Sequence, residues 1–441
     1  MKTDFQMVDS EVLGVPGASP FPAGPSYGDA TGAEAAPGLD LGPAQVPQAR
    51  ATTPTMEIRV ARGLDGLLPL EAEWRSLAAS LPEQGFMHAF GWQLAYLQHL
   101  EPNPESLHFF SFYADGRLVA IFPLRHRRRV VFGIPLRFWE LPAHPHLVLG
   151  DVLIAPNQDG GALLRQLVQC LGEQKELPWD VLHLPDILEE SCALRSLRAA
   201  SLARTIYAPG WVSMYFPCPD METALATTKK EYRRNLRRQR KKLADNGALT
   251  MSVATEGTEL DIAFAEFLRL EASGWKGKVG KGSAILLHPK LYRFYSTLKD
   301  QFSADTRCLI FLLRLDGVAI AAQFCLLAGH TLYLSKIAYD ETWQAGAPGN
   351  QLLYDVLEYC CARDDIHRFS LVTGPLWAVP NWHPPSTRLW DVCVVRASLP
   401  GLLYYTARRC KTHLLVPARK ALQRVRSGLG RLAGARGGVQ K

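Results

Sequence analysis

The chain has 441 residues, a length that favours two domains with additional segments over one compact domain. Hydrophobic residues make up 47% and charged residues 21%, which provides a core and excludes a chain that is disordered throughout. Nine cysteines without a C-x-x-C pair argue against a disulfide framework and a zinc site, and favour free thiols in the cytoplasm. The net charge of +7 lies mainly in two basic clusters.

The N-terminal segment 1–55 is rich in Pro, Gly and Ala and has no sustained periodicity, which predicts a disordered leader. It lacks a basic region followed by an apolar run, so we expect no signal peptide, and no stretch is apolar enough to span a bilayer. The ordered part is predicted to begin with a strand at Met56–Val60. Helical periodicity then predicts helices at Leu67–Leu81 and Phe90–Leu100.

Two parts of the chain share one organisation. Leu107–Leu124 and Cys308–Phe324 each contain a strand, an Asp-Gly turn and a second strand, which predicts a β-hairpin. Leu147–Leu171 and Thr331–Cys361 each continue with a strand, a glycine-bearing loop and a helix. The strands predicted to follow these helices are Trp179–Leu184 and His367–Val372. The sequence therefore predicts two copies of one helix–hairpin–strand–helix–strand unit.

The loop of the second copy has the features of an anion cradle. It contains Gly346, Pro348 and Gly349, and the following helix is predicted to begin near Asn350, with that side chain as its N-cap. Free N–H groups and the positive end of the helix dipole favour a phosphate there. The first copy has Asp159 in its loop, which would repel a phosphate. An ordinary connection between strand and helix is the alternative that the sequence leaves open.

Two segments are strongly basic. Lys229–Gly247 predicts a helix with a narrow apolar stripe, and its cations serve either as a solvated face or as a binding surface for an anionic substrate or the phosphates of a cofactor. Nucleic acid is not an expected partner, because the chain has no recognised DNA-binding motif. After Val395 there is no acidic residue, so this tail is predicted either to contact an anionic membrane peripherally or to be unstructured.

Motifs for nucleophilic or metal catalysis are absent from the sequence. There is no G-x-S-x-G, H-E-x-x-H, G-x-G-x-x-G or Walker motif. His144-Pro145-His146 is expected to be a loop with two satisfied histidines, and no metal is predicted. These absences favour a reaction in which the enzyme mainly positions two substrates.

Five segments occur in an order that resembles GNAT-like acyltransferases. They are Lys229–Gly247, Ser273–Ile285, the Asp316-Gly317 hairpin, Tyr333–Glu341 and Pro348–Leu353. Within these enzymes, the chain is most similar to the FemAB-related, CelD-type group connected with cellulose and exopolysaccharide biosynthesis. The resemblance covers about Met56 to Val395.

The resemblance implies an α/β (α+β) architecture of tandem GNAT-like domains, with mixed sheets flanked by helices. The implied divisions are an N-terminal half at 56–216, a C-terminal acyltransferase half at 217–396 and a basic tail at 397–441. The co-substrate would be acetyl-CoA or another acyl-CoA, with its thioester arm between the strands Thr331–Tyr339 and His367–Val372. The residues implied to bind this cofactor are Gly346, Pro348, Gly349, Asn350 and Gln351.

The resemblance also assigns roles. Lys336 would bind an anionic group, Asp340 would act as base, and Tyr339 would protonate the leaving thiolate. The alternatives are a packing role for Tyr339 and a turn role for Asp340. The acceptor would contact Glu271, Trp275 and Lys276, although the tryptophan is equally well explained as a core residue.

The chain departs from the family at two positions. Ser370 stands where an acidic residue is usual, and Val379 stands where a lysine precedes Trp382. The predicted function is acyl transfer to an amine or hydroxyl of a sugar, lipid or peptidoglycan precursor. The alternatives are a Fem-type aminoacyl-tRNA-dependent transferase and a non-catalytic GNAT-fold binding protein of a polysaccharide assembly.

Overall fold

The computed structural model describes residues 56–146, 149–274, 276–277, 280–304, 307–372 and 381–411. All of them lie in one unit, Pro54–Lys441. The predicted leader 1–55, Trp275, Val379 and most of the predicted tail lie outside the described residues.

The first half comprises seven strands and five helices among the described residues. In order they are β1 (Met56–Arg62), α1 (Gly63–Leu67), α2 (Glu71–Ala79), α3 (Phe90–His99), β2 (Leu107–Ala114), β3 (Arg117–Val131), β4 (Ile134–Glu140), β5 (Leu153–Ile154), α4 (Gly160–Glu173), β6 (Val181–Leu188), α5 (Cys192–Ala200) and β7 (Thr205–Pro217).

The second half comprises six strands and six helices within the same described ranges. In order they are α6 (Met221–Ala224), α7 (Lys230–Ala244), β8 (Leu249–Ala254), α8 (Gly257–Ser273), α9 (Pro289–Ser303), β9 (Cys308–Leu315), β10 (Val318–Ala328), β11 (Thr331–Tyr339), α10 (Pro348–Cys361), β12 (Arg368–Ser370), β13 (Ser386–Val395) and α11 (Leu399–Cys410).

Both predicted hairpins are confirmed, and the same turn closes each of them. Asp115 and Gly116 have φ of 48° and 76°, and Asp316 and Gly317 have φ of 48° and 80°. Two central residues with positive φ make a type I′ turn, whose twist matches that of the flanking strands. The Asp-Gly dipeptide therefore fixes the pairing of β2 with β3 and of β9 with β10.

The strands form one mixed sheet, and the two halves exchange their last strands within it. The order is β1-β2-β3-β4-β6-β13-β7-β12-β11-β10-β9-β8, with β5 beside β3. Strand β13 pairs with β6 of the first half, β7 pairs with β12 of the second half, and β7 and β13 also pair with each other. The order is therefore symmetric about the β13–β7 pair, and each half is completed by a strand of the other.

The core also joins the two halves. The ring of Trp92 in α3 lies 5.5 Å from that of Phe294 in α9, in an edge-on arrangement that aromatic pairs favour. Helices α3, α8 and α9 contribute to one large buried cluster, whereas α10 packs in a second cluster with other residues of β9, β10 and β11. Helices therefore flank the sheet, as predicted.

The strand predicted at the start of Leu147–Leu171 is divided in the structure. Ala120 of β3 pairs with Ile154, just as Ala321 of β10 pairs with Tyr339. Strands β4 and β5 together thus correspond to β11, and residues 141–152 interrupt them. The strand β11 is continuous and has no such insertion.

The parallel strands β11 and β12 of the second half separate and leave a gap, whereas the corresponding gap beside β6 in the first half is closed. Strands β11 and β12 pair over three residues, ending at Tyr333 and Ser370, where β12 also ends. Strands β4 and β6 pair over three residues as well, but the Leu141 N–H then donates to His183 and Gly150 bridges to Ile187. In the first half, the insertion therefore occupies the place beside β6 that corresponds to the open gap between β11 and β12.

A buried ion cluster stabilises the first half. The Glu140 side chain is 1% exposed and accepts from Arg125 (Nη2 to Oε1, 2.6 Å), and Arg129 Nη2 lies 3.1 Å from its Oε2. Burial alone would raise the pKa of this carboxyl. The hydrogen bond to His183 and the neighbouring guanidinium groups outweigh burial and lower the pKa to about 2.

We predict that Glu140 contributes stability that is lost in acid. The carboxyl is ionised in both states above pH 4.5, its ordinary pKa, and its full contribution is present there. As the pH falls from that value to about 2, the unfolded chain takes up the proton first, so the free energy of unfolding decreases by about 3 kcal/mol. Urea unfolding across this pH range measures the change. In Glu140→Gln this part of the pH dependence disappears, and an unchanged profile would contradict the account. The exposed Glu57→Gln is the control.

Candidate active site

A cavity of about 930 Å³ occupies the gap between β11 and β12. The strand β11 lines it from Tyr333 to Tyr339, and Leu371 and Val372 line it beyond the end of β12. The other walls come from α3, α8, α9, β10, the start of α10 and the insertion between β4 and β5. The cavity is therefore bounded by both halves of the chain.

The cavity passes from one face of the sheet to the other. Neighbouring residues of a strand point to opposite faces. Ala338 belongs to the core under α8 and α9, whereas Tyr339 packs against the core under α10. Lys336 shares the face of Ala338, and its Nζ lies 5.9 Å from the centre of the Tyr295 ring in α9. Because Lys336 and Tyr339 both line the cavity, it connects the two faces.

The helix α10 directs its N-terminus at the cavity. It begins at Pro348, after Ala347 in a left-handed conformation (φ 51°) that provides no side-chain cap. Proline has no N–H, and the Gly349 N–H lies in the first turn, where no intrahelical acceptor exists. The expectation that Asn350 caps this helix is wrong: its Oδ1 accepts from Trp382 Nε1 at 3.1 Å. Gly349, Pro348 and Asn350 all line the cavity.

Two residues predicted to bind the cofactor lie behind the loop. Gly346 is buried, and a Cβ at this position would overlap Leu243 of α7. The buried Gln351 donates from Nε2 to the Leu236 carbonyl at 3.0 Å. Neither residue lines the cavity. Their contacts therefore indicate that they hold the basic helix α7 against the loop.

The basic helix α7 keeps most of its charge in solvent beside this loop. Arg240 Nη1 donates to Asp355 of α10 at 2.8 Å, which adds an ion pair to the contacts of Gly346 and Gln351. The exposed cations are Lys230, Arg234, Arg237, Arg238, Lys241 and Lys242. A positively charged surface thus lies on an element that packs directly on the loop before α10.

Lys336 is the central cation on the opposite side of the cavity. Within the described ranges, no side chain or carbonyl forms a hydrogen bond or ion pair with its ammonium group. Burial lowers the pKa of Lys336 to about 8, the charge of Lys276 acts in the same direction, and Glu271 opposes both. The cation is therefore only partly retained at slightly alkaline pH.

Glu271 and Lys276 lie together on this side of the cavity. Glu271 is 4% exposed, its Oε2 accepts from the Ile285 N–H at 2.7 Å, and its Oε1 lies 3.5 Å from Lys276 Nζ. The ammonium of Lys276 also donates to the Ile337 carbonyl at 3.1 Å. Both side chains line the cavity, whereas Trp275 is outside the described residues.

Asp340 does not line the cavity. Its Oδ1 accepts from the backbone N–H and the hydroxyl of Thr342 at 2.9 and 2.7 Å, which closes the turn after β11. These contacts favour the turn role over the role of a base. The buried Ser370 likewise serves the backbone, since its hydroxyl accepts from the Val372 N–H at 3.1 Å.

Two cavity residues were not predicted as site residues from the sequence. Gln323 of β10 is 1% exposed, and neither atom of its amide has a partner among the described residues. A single amide in the apolar run of this strand was the available signal. His146 comes from the insertion, and its Nδ1 lies 2.8 Å from the Tyr295 hydroxyl. Burial, helped by nearby cations, lowers the pKa of His146 to about 3, so the ring is neutral.

One group of potential metal ligands exists within the described part of the chain. It consists of His183, Asp391 and Cys393, which lie on the paired strands β6 and β13. None of the three lines the cavity. The Asp391 carboxylate already accepts from Arg408 at 3.1 Å and lies 3.0 Å from His183 Nε2. This donor set does not fit a metal ion, because a guanidinium occupies the carboxylate.

Residues 230–376 match the family model described as an acetyltransferase (GNAT) domain. This part of the chain is therefore similar to GNAT acetyltransferase domains. The predicted fold class is confirmed: the protein has a mixed α/β fold in which helices flank a mixed sheet. The family model does not specify a cellulose-related group. No curated protein matches the chain.

Three solved structures are similar to this chain over most of their length. The structure of FemX is 12% identical, with 73% of this chain and 95% of that chain covered and a TM-score of 0.48. The C-terminal domain of a putative lysylphosphatidylglycerol synthetase from Agrobacterium fabrum is 13% identical, with 77% and 97% covered and a TM-score of 0.45. A tandem GNAT protein from the clavulanic acid biosynthesis pathway is 12% identical, with 76% and 98% covered and a TM-score of 0.39.

The helices of the described ranges are all too short or too polar to cross a bilayer.

Substitution by alanine is expected to affect stability differently at the two glycines of the loop, Gly346 and Gly349. A Cβ at Gly349 would lie 3.5 Å from the Tyr339 ring, an ordinary contact, so Gly349→Ala is expected to keep the wild-type melting temperature. Gly346→Ala is expected to lose about 1–3 kcal/mol, because its methyl group overlaps Leu243 in a packed core. Thermal unfolding of both variants measures the difference. Equal stability of the two would contradict the assignment of Gly346 to packing.

Proposed function

We propose that the protein transfers an acyl group from acyl-CoA, with acetyl-CoA as the first candidate, to an amine or hydroxyl. One observation carries the proposal: the cavity crosses the sheet where β11 and β12 separate, and the N-terminus of α10 lines it. A donor and an acceptor can then approach one reacting carbon from opposite faces. The match of residues 230–376 to a GNAT domain supports the same reaction class.

The donor is proposed to bind on the α10 side. Its pyrophosphate would lie against the Gly349 N–H, where the helix dipole favours an anion. Its thioester arm would run along β11 towards Leu371 and Val372, in place of the strand pairing that ends at Ser370. The exposed cations of α7 would attract the remaining phosphate of CoA. Gly346 and Gln351 take part indirectly, by holding α7 to the loop.

The acceptor is proposed to bind on the α8–α9 side. Its nucleophile attacks the thioester carbonyl, a C–N or C–O bond forms, and the C–S bond breaks. The proton of the nucleophile passes, directly or through water, to the Glu271 carboxylate, and the Tyr339 hydroxyl protonates the departing thiolate. Lys336 holds an anionic group of the acceptor. We assign no proton transfer to Asp340, because its carboxylate closes the turn.

The resemblance to CelD-type proteins supports an acceptor in polysaccharide or cell-envelope biosynthesis in the cytoplasm. A second candidate is a GNAT-fold binding protein without turnover. Ser370 favours this candidate, because it stands where an acidic residue is usual in the family. Its hydroxyl is buried and accepts a hydrogen bond from the Val372 N–H. An aminoacyl-tRNA donor is the remaining alternative, and it predicts no specific binding of acetyl-CoA.

Calorimetry with acetyl-CoA tests the donor site. The wild-type protein is expected to bind, and Gly349→Asp is expected to lose binding at least tenfold, because its carboxylate faces the phosphates at the helix N-terminus. Ala345→Asp is the matched control: it places the same charge in the same loop, on an exposed residue that does not line the cavity. Absence of binding by the wild-type protein, or equal binding by Gly349→Asp, would contradict the proposal. Binding without turnover would favour the second candidate.

The pH dependence of turnover tests Lys336. The acceptor for this assay is first identified by screening metabolites for transfer of the label from labelled acetyl-CoA. The value of kcat/KM is expected to fall as the pH rises through about 8, because the lysine becomes neutral and no longer attracts an anion. Lys336→Arg is expected to shift this fall to higher pH, and Lys336→Met to remove it and lower kcat/KM at every pH. A rise through pH 8 in the wild type would instead make the neutral amine the active form.

A further inference from the structure

An exposed surface beside strand β4 combines apolar and cationic side chains. It is formed by the tip of the β3–β4 hairpin and the outward side of α11, and we call it the hairpin–helix face. Its apolar members are Val130, Phe132, Leu399, Leu402 and Leu403, and its cations are Arg128, Arg409 and Lys411. The side chains of Val130 and Leu399 are 72% and 74% exposed. None of these residues lines the cavity of the proposed active site.

The hairpin and the helix form one continuous surface. The Phe132 ring stacks on Tyr404 of α11 with 6.2 Å between ring centres, and Lys411 Nζ lies 5.8 Å from the centre of the Phe132 ring. A shallow cleft of about 540 Å³ separates Val130 from Pro400 at the start of the helix. The exposed apolar groups from the two segments are therefore neighbours.

Phe132 has a positive φ at a turn position that aspartate occupies in the other two hairpins. The turn Phe132-Gly133 has φ of 54° and 76°, the same type I′ geometry as the turns at Asp115 and Asp316. Aspartate and asparagine adopt positive φ readily, whereas a bulky residue at this position is strained. The structure thus keeps an aromatic ring at the tip of the hairpin, 49% exposed, against its backbone preference. Strain of this kind is concentrated at functional positions.

The outward side of α11 is apolar for one turn. Leu399, Leu402 and Leu403 follow at intervals of three and four residues and share one face. The opposite face carries Gly401 and Tyr404, which are buried against the sheet. The helix is therefore already packed, and its leucines remain exposed for another contact.

The charge around this face is positive. Arg128 is exposed and forms no ion pair or hydrogen bond within the described part of the chain. The acidic residue in the cleft, Asp180, is engaged by Arg137 through both of its oxygens, at 2.8 and 2.9 Å. No acidic residue follows Val395 in the sequence. An apolar centre with a cationic rim complements an anionic surface.

We propose that the hairpin–helix face binds the surface of an anionic phospholipid bilayer. Phe132, Val130 and the leucines of α11 would lie at the boundary between headgroups and acyl chains, and the arginine and lysine side chains would contact lipid phosphates. This contact is peripheral and reversible. It stands independently of the proposed acyl transfer, because it uses other residues.

Co-sedimentation of the full chain with vesicles tests the proposal. The protein is expected to bind vesicles of phosphatidylcholine mixed with phosphatidylglycerol, and not vesicles of phosphatidylcholine alone. The triple variant Phe132→Asn, Leu399→Ser, Leu403→Ser is expected to bind at least about tenfold more weakly, because it removes most of the inserted apolar surface. Asparagine suits the positive φ of the turn, so its melting temperature is expected to be unchanged or higher.

The control variant carries three matched changes elsewhere on the surface: Leu68→Ser, Ile262→Ser and Val318→Ser. These side chains are 49%, 55% and 60% exposed, and the variant is expected to bind vesicles as the wild type does. Arg128→Gln is expected to weaken binding and to reduce its dependence on salt.

Three results would overturn the proposal. The first is no binding of the wild type to the anionic vesicles. The second is equal binding by the wild type and the triple variant, which would assign the contact to charge elsewhere in the chain. The third is a change of sedimentation from dimer to monomer in the triple variant with vesicle binding unaltered, which would make the face an interface between copies of the chain.

Discussion

The end of pairing between β11 and β12 is the constraint on which the site depends. The two strands share three residue pairs, and β12 ends where the pairing ends. Backbone groups beyond Tyr333 then face a cavity instead of a neighbouring strand. In the first half the insertion 141–152 bridges to β6 at Gly150 and closes the corresponding gap. One repeated architecture thus contains a cavity in one copy and a closed gap in the other.

The exchange of β7 and β13 makes the two halves interdependent. Each half lacks its last strand unless the other half supplies it, and the buried pair of Trp92 and Phe294 adds a contact through the core. The insertion that closes the first half also places His146 against Tyr295 at the cavity of the second. The first copy therefore supports the site in two ways, by completing the sheet and by forming a wall. This arrangement explains how a copy whose corresponding gap is closed supports the cavity of the other copy.

Local signals predicted much of the fold. The two Asp-Gly turns predicted both hairpins, because that dipeptide selects one turn geometry. The family resemblance, and not a local signal, implied the strand Thr331–Tyr339 at its observed bounds. The exchange of strands had no local signal, since it depends on pairing between residues far apart in the chain. The start of α10 was misplaced because Pro348 at the first helical position, and not the amide of Asn350, defines that end.

The candidate site could be predicted only in outline. Lys336, Tyr339, Glu271, Lys276, Pro348, Gly349 and Asn350 line one cavity. Gly346 and Gln351 carry the same local pattern but face α7, and a sequence does not show which side of a loop is packed. Asp340 bonds to its own turn, which is the ordinary behaviour of an aspartate after a strand. Gln323 and His146 were not predicted as site residues, because their position at the cavity depends on distant elements that surround them.

A crystal structure of the protein with acetyl-CoA tests the central claim most directly. The account predicts density for the pyrophosphate within hydrogen-bond distance of the Gly349 N–H and for the thioester arm between β11 and residues 371–372, with the thioester carbon near the side of Lys336. Acetyl-CoA bound between β4 and β6 of the first half, or bound outside the cavity, would contradict it.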